Sequence, residues 1–256
     1  MKKLLRTVQV YFPFLLDIKF ALMNLLIRRF RIPWEADFRA LSLFPDTKEV
    51  LYLDVGANRG QSTHAILARR NNCTIVAFEP NPLLSNKLAR NFGNDRRVVV
   101  NGFGLGNQDG KFTLYIPYYK AWMFDGLASL KKDNAGGWLK GRVYCYRDSC
   151  ATLREVECNV KRLDDLGLAP FFITLDVQGF EFEALVGGEQ TLKKCEPILL
   201  IESPDQQVVD YLQRLNYRFF CFEHGKFIPD VMGRLNTFFM TPEKSALVRN
   251  HFAPER

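Results

Sequence analysis

From Val50 onward, short runs of β-branched and aromatic residues alternate with helix-length segments, and no other feature of the sequence restricts the fold as much. Alternation of this kind builds right-handed crossovers and therefore a mostly parallel sheet covered on both faces. The spacing predicts strands at Val50 to Val55, Thr74 to Phe78, Val98 to Asn101, Phe171 to Val177, Ile198 to Glu202, Tyr217 to Phe222 and Leu235 to Met240. Helices are expected at Gly60 to Arg70, Pro82 to Phe92, Phe180 to Lys194 and Gln206 to Leu215. The expected fold is thus α/β, a doubly wound, mostly parallel, seven-stranded Rossmann-like sheet.

The last two strands are separated only by a loop holding His224, Gly225, Lys226 and Pro229, too short for a crossover helix, so they should form a hairpin with one strand antiparallel. Residues of about 111–160 read as an insertion, with a strand at Lys111 to Ile116 and then a loop rich in Gly, Lys and aromatic residues. Within it Trp122, Phe124, Asp125, Ser129, Lys131 and Lys132, in the loop Tyr118 to Gly137, suit either stacking on a sugar ring or a lid. Phe180, Phe182, Leu185 and Val186 have the spacing of a helix face packed on the sheet.

Ahead of this body, residues 1–45 read as an amphipathic helical extension to a domain at 46–256. A formal charge of +7 is concentrated there, since residues 1–40 carry eight bases against Asp17, Glu35 and Asp37. A nucleic-acid reader would carry its basic face on the folded domain, so a nucleic-acid partner is not expected. From Phe14, Leu15, Ile18, Leu22, Leu25 and Leu26 share one helix face, with Asp17, Asn24, Arg28 and Arg31 on the other. Two readings stay open: a helix packed on its own domain, or peripheral contact of residues 1–33 with an anionic membrane. Pro13 and the polar residues beyond it leave no span for crossing a bilayer, and no small-residue cleavage site follows the apolar stretch. Six cysteines without metal-knuckle spacing fit a reducing, cytoplasmic setting.

The first predicted strand runs into Asp54-Val55-Gly56-Ala57-Asn58-Arg59-Gly60, where open α/β sheets bind ligands beyond their strand ends. A dinucleotide fingerprint would place glycines at 56, 58 and 61, but these positions hold Gly56, Asn58 and Gln61, which weakens a nicotinamide reading. Asn58 tolerates a left-handed backbone, and Gly56 and Gly60 admit a closely approaching polar ligand. Glu79 follows Gly56 by 23 residues at the end of the second strand, where a carboxylate can accept both hydroxyls of a ribose. Turn and acid together point to a nucleoside cofactor.

Asp-Val-Gly-Ala-Asn-Arg-Gly (54–60), Phe-Glu-Pro (78–80), Leu-Asp-Asp-Leu (163–166) and Leu-Asp-Val-Gln-Gly-Phe-Glu (175–181) resemble, in order, the signature blocks of the FkbM-like methyltransferases. The resemblance covers residues of about 50–203. It implies a class I methyltransferase fold, S-adenosylmethionine as cofactor, and O-methylation of sugar or polyketide hydroxyls. Carried over by position, Asp54, Gly56, Asn58 and Gly60 would surround the methionine moiety and Glu79 would hold the ribose. Asn101, Gly102 and the residues to Gly106 would lie near the adenine, and Asp176 would face the sulfonium and the substrate. Two departures from the family pattern are Thr174, where Lys is common, and Gln178, where Glu is common; if that Glu were the family's base, Gln178 could not serve.

Alcohol methylation profits from a proton acceptor, and Asp176 and Glu202 at predicted strand ends are the candidates. Asp176 could equally hold the cofactor amine, and Glu202 could be structural. His64, in the first helix, is a third candidate beside a helix-face role. No metal site is expected, although Asp176 and Glu202 could share a magnesium ion if the fold joined them. The acceptor expected is a sugar or glycan hydroxyl, lipid-linked glycans included. Two rivals are a cofactor-binding module without turnover and a nucleic-acid methyltransferase, the latter disfavoured by Asp176-Val177-Gln178-Gly179 in place of an Asp/Asn-Pro-Pro-aromatic motif.

Overall fold

A computed structural model describes residues 2–45, 50–135, 140 and 143–253. The expected boundary at 45/46 and the end of the aromatic loop at Gly136 and Gly137 lie outside the described residues. The chain opens with helices α1 (Lys2–Tyr11) and α2 (Phe14–Phe30), separated at Pro13, and a 3-10 helix at Ala36–Leu43. An eight-stranded sheet follows, in the order β11-β10-β12-β9-β8-β1-β2-β3. Its strands are β1 (Val50–Val55), β2 (Cys73–Phe78), β3 (Val98–Asn101), β8 (Pro170–Leu175), β9 (Ile198–Glu202), β10 (Arg218–Glu223), β11 (Lys226–Pro229) and β12 (Asn236–Met240). The pairs from β3 to β9 are parallel, and β12 runs against both β9 and β10.

Period-two alternation explains why this sheet is buried on both faces. Leu53, Ile173, Leu199 and Phe239 point into one core, against α5 (Glu181–Val186), α6 (Glu189–Cys195) and α7 (Gln206–Arg214). Their neighbours Tyr52, Phe172, Leu200 and Phe238 point into the other, against α3 (Gln61–Arg69) and the 3-10 helix. Arg70, fully buried at the end of α3, fastens that 3-10 helix by donating to the carbonyls of Leu41 and Phe44 at 3.1 and 2.8 Å. α4 (Pro82–Phe92) completes this layer through Leu88 and Phe92.

All seven expected strands are present, with corrections at three places. The presumed hairpin loop contains an eighth strand, β11, which turns back on β10 through His224 and Gly225, so that β10 and β12 are antiparallel neighbours with β11 outside them. A four-residue edge strand ending in Pro229 reads as a loop because an edge strand tolerates proline. The helix expected over Phe180 to Lys194 is two helices broken at Gly187 and Gly188. A Cβ on Gly187 would sit 1.8 Å from the Gly106 carbonyl oxygen, and one on Gly188 would press on Leu163. The insertion loop is largely a hairpin: β5 (Gly110–Tyr119) pairs over its full length with β7 (Ala151–Lys161), and β4 (Gly104–Leu105) and β6 (Trp122–Met123) complete a second sheet.

α2 packs one side on the chain and exposes the other. Its expected apolar face is the outward one: Ile18, Leu22, Leu25 and Leu26 are exposed, while Leu16, Met23, Asn24 and Ile27 are buried against the rest of the chain. Both sides of α2 are apolar, and the sequence reading found the wider of the two. No described helix is long and apolar enough to cross a membrane.

Candidate active site

The chain leaves β1 toward β2 and β3 on one side of the sheet and returns to β8 on the other, so the strand order reverses at the carboxyl ends of β1 and β8. Loops diverge at such a switch point and leave a crevice. Here the crevice is a pocket lined by Gly56, Asn58, Glu79 and Pro80 on one side and by Asp176, Val177 and Gln178 on the other.

The β1–α3 turn is bent by residues in left-handed backbone, Gly56 at φ 87° and Asn58 at φ 50°. Gly56 cannot be replaced without cost, because a Cβ there would lie 1.8 Å from the Asp176 carbonyl oxygen. The closeness is fixed by the Asp176 N–H donating to the Val55 carbonyl at 3.0 Å, while Gly56 and Ala57 donate to Phe78. Glu79 is buried and receives N–H groups on both oxygens, from Asn58 at 2.7 Å and Asn81 at 2.8 Å. Burial raises its pKa to about 7 against the pull of these two N–H groups. The Asn58 side-chain oxygen is buried without a hydrogen-bond partner, which leaves an acceptor at the cavity wall for a ligand donor.

At the end of β8, Gln178 (φ 53°) and Gly179 (φ 91°) form a left-handed turn held by Glu181, whose carboxylate accepts from the Val177 and Gly179 N–H groups at 3.1 Å each. The Gln178 side-chain amide lies between two carboxylates, donating to Asp176 at 2.7 Å and to Glu202 at 3.3 Å. Asp176 opens onto the cleft. The protein mass around it, then its contact with Glu202, hold its pKa well above the usual carboxylate range.

A second cavity begins where the first ends. It runs between the N-terminal helices and the insertion, lined by Lys19 and Phe20 of α2, Trp122 and Phe124 of the insertion, and Gln178 and Glu202. Asp125 and Gln178 border both cavities. Arg59, in the β1–α3 turn, joins the parts of this groove through ion pairs to Asp17 of α2 and Asp125 of the insertion, with its guanidinium 5.0 Å from the Phe20 ring. Lys87 also pairs with Asp17, at 2.9 Å.

The fold therefore brings Gly56, Asn58, Glu79, Asp176 and Glu202 to one place. Asp54 lies beneath it, accepting from the Thr63 hydroxyl, with burial raising its pKa to about 6. Gly60, at φ 86°, starts α3 against Phe92. Asn101 and Gly102 are not among the lining residues. The Asn101 carbonyl accepts from the Glu79 N–H, and Gly104 and Leu105 reach the cavity instead. His64 is a correction: it is buried on α3 with its ring 4.6 Å from Phe92, and it faces a separate polar recess beside Arg28 and Asp95. Burial lowers its pKa to about 4. It sits one helical turn past Gly60, and that turn carries it away from the cleft. Phe180 is core, as expected, but also lines the cavity. Sequence reasoning gave no role to Arg59, although it stands inside the Gly-rich block; partners 42 and 66 residues away leave no signature. Among the described residues no group of three or more His, Cys, Asp or Glu is placed to hold a metal ion.

A Rossmann-like sheet with a Gly-Ala-Asn turn, a strand-end acid and an acidic pair across the switch point defines a methyltransferase-type fold and cleft. Residues 54–219 match the methyltransferase FkbM domain, and the chain belongs to that family. It is 25% identical over 167 residues to the 2-O-methyltransferase NoeI of Sinorhizobium fredii, covering 62% of this chain and 65% of that protein. It is 27% identical over 177 residues to the AMB antimetabolite synthetase AmbE of Pseudomonas aeruginosa, covering 59% of this chain but 8% of that protein. The chain thus spans less than two thirds of each relative. A crystal structure of methyltransferase FkbM from Methylobacillus flagellatus aligns with 75% of this chain and 43% of its own length, at 17% identity and a TM-score of 0.48.

Proposed function

We propose that this chain is an S-adenosylmethionine-dependent O-methyltransferase acting on a hydroxyl of a sugar or glycan, with residues 46–256 as the catalytic unit. The observation that carries this reading is the meeting of two cavities at Gln178, whose side chain lies between Asp176 at the first and Glu202 at the second. The cofactor fits the donors present: Glu79 retains a free lone pair on each oxygen for a ribose diol, and the unpartnered Asn58 oxygen can accept from the amino group of the methionine moiety. Leu105, Leu114 and Leu130 offer an apolar wall for a flat base. When bound, S-adenosylmethionine supplies an electrophilic methyl group on a sulfonium.

The residues of the chain do the rest. The groove would seat a sugar ring between Phe20, Trp122 and Phe124, an arrangement suited to stacking on the apolar face of a pyranose. Asp176 then meets the reacting hydroxyl and takes its proton as the new carbon–oxygen bond forms. Its raised pKa makes it a stronger proton acceptor than an ordinary carboxylate, and Gln178 fixes the carboxylate's orientation. Most of the acceleration comes from holding the hydroxyl in line, worth up to about 7–11 kcal/mol. The O-methyl transfer of the relative NoeI supports this reading.

The test is incubation of the protein with methyl-labelled S-adenosylmethionine and glycan and glycolipid extracts, followed by mass spectrometry. A methyl ether on a sugar hydroxyl is the expected product. Label found in nucleic acid, or cofactor binding with no turnover on any extract, would overturn the reading.

A further inference from the structure

Methyl transfer needs none of the outward side of α2, yet that side is where the chain leaves most of its apolar surface. Of the eighteen large apolar side chains exposed among the described residues, eleven fall within residues 8–34. Scattered exposed apolar residues need no explanation, but a concentration of this size marks an interaction site. On α2 at 100° per residue, Phe14, Ile18, Leu22, Leu25 and Leu26 span one continuous arc of about 120°, and Trp34 extends the strip beyond the helix, all of them about half exposed or more. The inward arc of Leu16, Met23 and Ile27 is already packed, so the outward arc is not a misplaced core face.

Charge decides what covers this strip. Residues 1–34 hold seven bases and a single acid, Asp17, which is engaged by Arg59 and Lys87. Arg29 projects within the apolar arc, and Arg28 and Arg31 stand exposed at the same end of the helix. A protein partner would have to bring acids to these positions, and a second copy of this segment has none to offer. At a bilayer surface, long basic side chains reach phosphate headgroups while Leu, Phe and Trp enter the acyl boundary. We infer that α2 and the segment to Trp34 form a monotopic docking surface for an anionic lipid leaflet. The acceptor groove opens on the flank of the same helix, since Lys19 and Phe20 line it one and two residues after the exposed Ile18. A docked protein would therefore meet glycans carried on lipid. The docking itself stands apart from the methyl-transfer reading.

The experiment is flotation of the whole chain, without cofactor, on vesicles of phosphatidylcholine with one third phosphatidylglycerol, beside pure phosphatidylcholine. The wild type should float with the anionic vesicles and less at high salt. The variant Ile18→Gln/Leu22→Gln/Leu25→Gln/Leu26→Gln changes only exposed positions, so it should keep the wild-type melting temperature and lose at least about tenfold in partition. Arg28→Gln/Arg29→Gln should lower partition about fivefold per charge on anionic vesicles and little on neutral ones. A wild type that stays with the soluble fraction, or a Gln variant that floats equally well, would overturn the inference. If the wild type fails to float and runs as a dimer that the Gln variant splits, the face belongs to a second copy instead.

Discussion

The two halves of the cleft, to which we assign the cofactor and the acceptor as a proposal, are built in different ways. The cofactor half comes from the ends of adjacent strands of one sheet, and backbone constraint holds it: Gly56 meets the Asp176 carbonyl, and two N–H groups hold Glu79. The acceptor half is assembled from α2, the insertion and the β8–α5 turn, joined largely by the side chain of Arg59. A site fixed by backbone tolerates little change in itself, whereas a site fixed by side chains can shift its contents between relatives without altering the sheet. The difference teaches where chemistry is kept and where specificity is free to vary.

Breaking the backbone half should have the largest effect. Gly56→Ala forces a Cβ into the Asp176 carbonyl at positive φ, costing at least about 2 kcal/mol. Cofactor binding should vanish in calorimetry and the melting temperature should fall. Asp176→Asn keeps shape and removes the proton acceptor, so single-turnover methyl transfer should drop by about 10² or more. Cofactor affinity should stay within about threefold; a loss of affinity with normal turnover at saturation would move Asp176 to a cofactor clamp.

Arg59→Ala separates the two halves. It should leave cofactor affinity intact but lower kcat/KM for the acceptor about tenfold, because α2 and Asp125 lose their common partner. Equal damage to both would mean that the halves are one unit.

The smallest expected effect is on pH. Glu79 and Asp54 have pKa values raised to about 7 and about 6, so both hold their protons more tightly folded than unfolded. The free protein's stability from these groups is therefore full at low pH and is lost as pH rises through these values. Thermal melts from pH 5 to 8 check this. Hydroxyl donors favour ionised Glu79, so cofactor affinity should strengthen about tenfold from pH 6 to 8, and Glu79→Gln should flatten that profile. An unchanged slope in Glu79→Gln would separate Glu79 from the ligand.

The same contrast explains what was legible in the sequence. Strands, crossovers and the Gly56–Glu79 pairing are local or periodic signals, and the fold honours them. Asn58 was readable as a left-handed turn residue because backbone preference is a property of the residue itself. His64 misled because its proximity in sequence says nothing of the direction in which α3 turns it. The break at Gly187 and the ion pairs of Arg59 depend on contacts with Gly106, Asp17 and Asp125, which no spacing rule connects. The outward arc of α2 was found, but its neighbour stayed open, since a helix apolar on both sides does not declare which side faces in.

Calorimetric titration of S-adenosylmethionine into wild type and Glu79→Ala at pH 8 tests the central claim most directly, and needs no knowledge of the acceptor. Wild type should bind in the micromolar range, and the variant should lose about 1.5–3 kcal/mol, or 10- to 150-fold, through the missing diol acceptor. Absence of binding to a folded wild type, or equal affinity in the variant, would contradict the account.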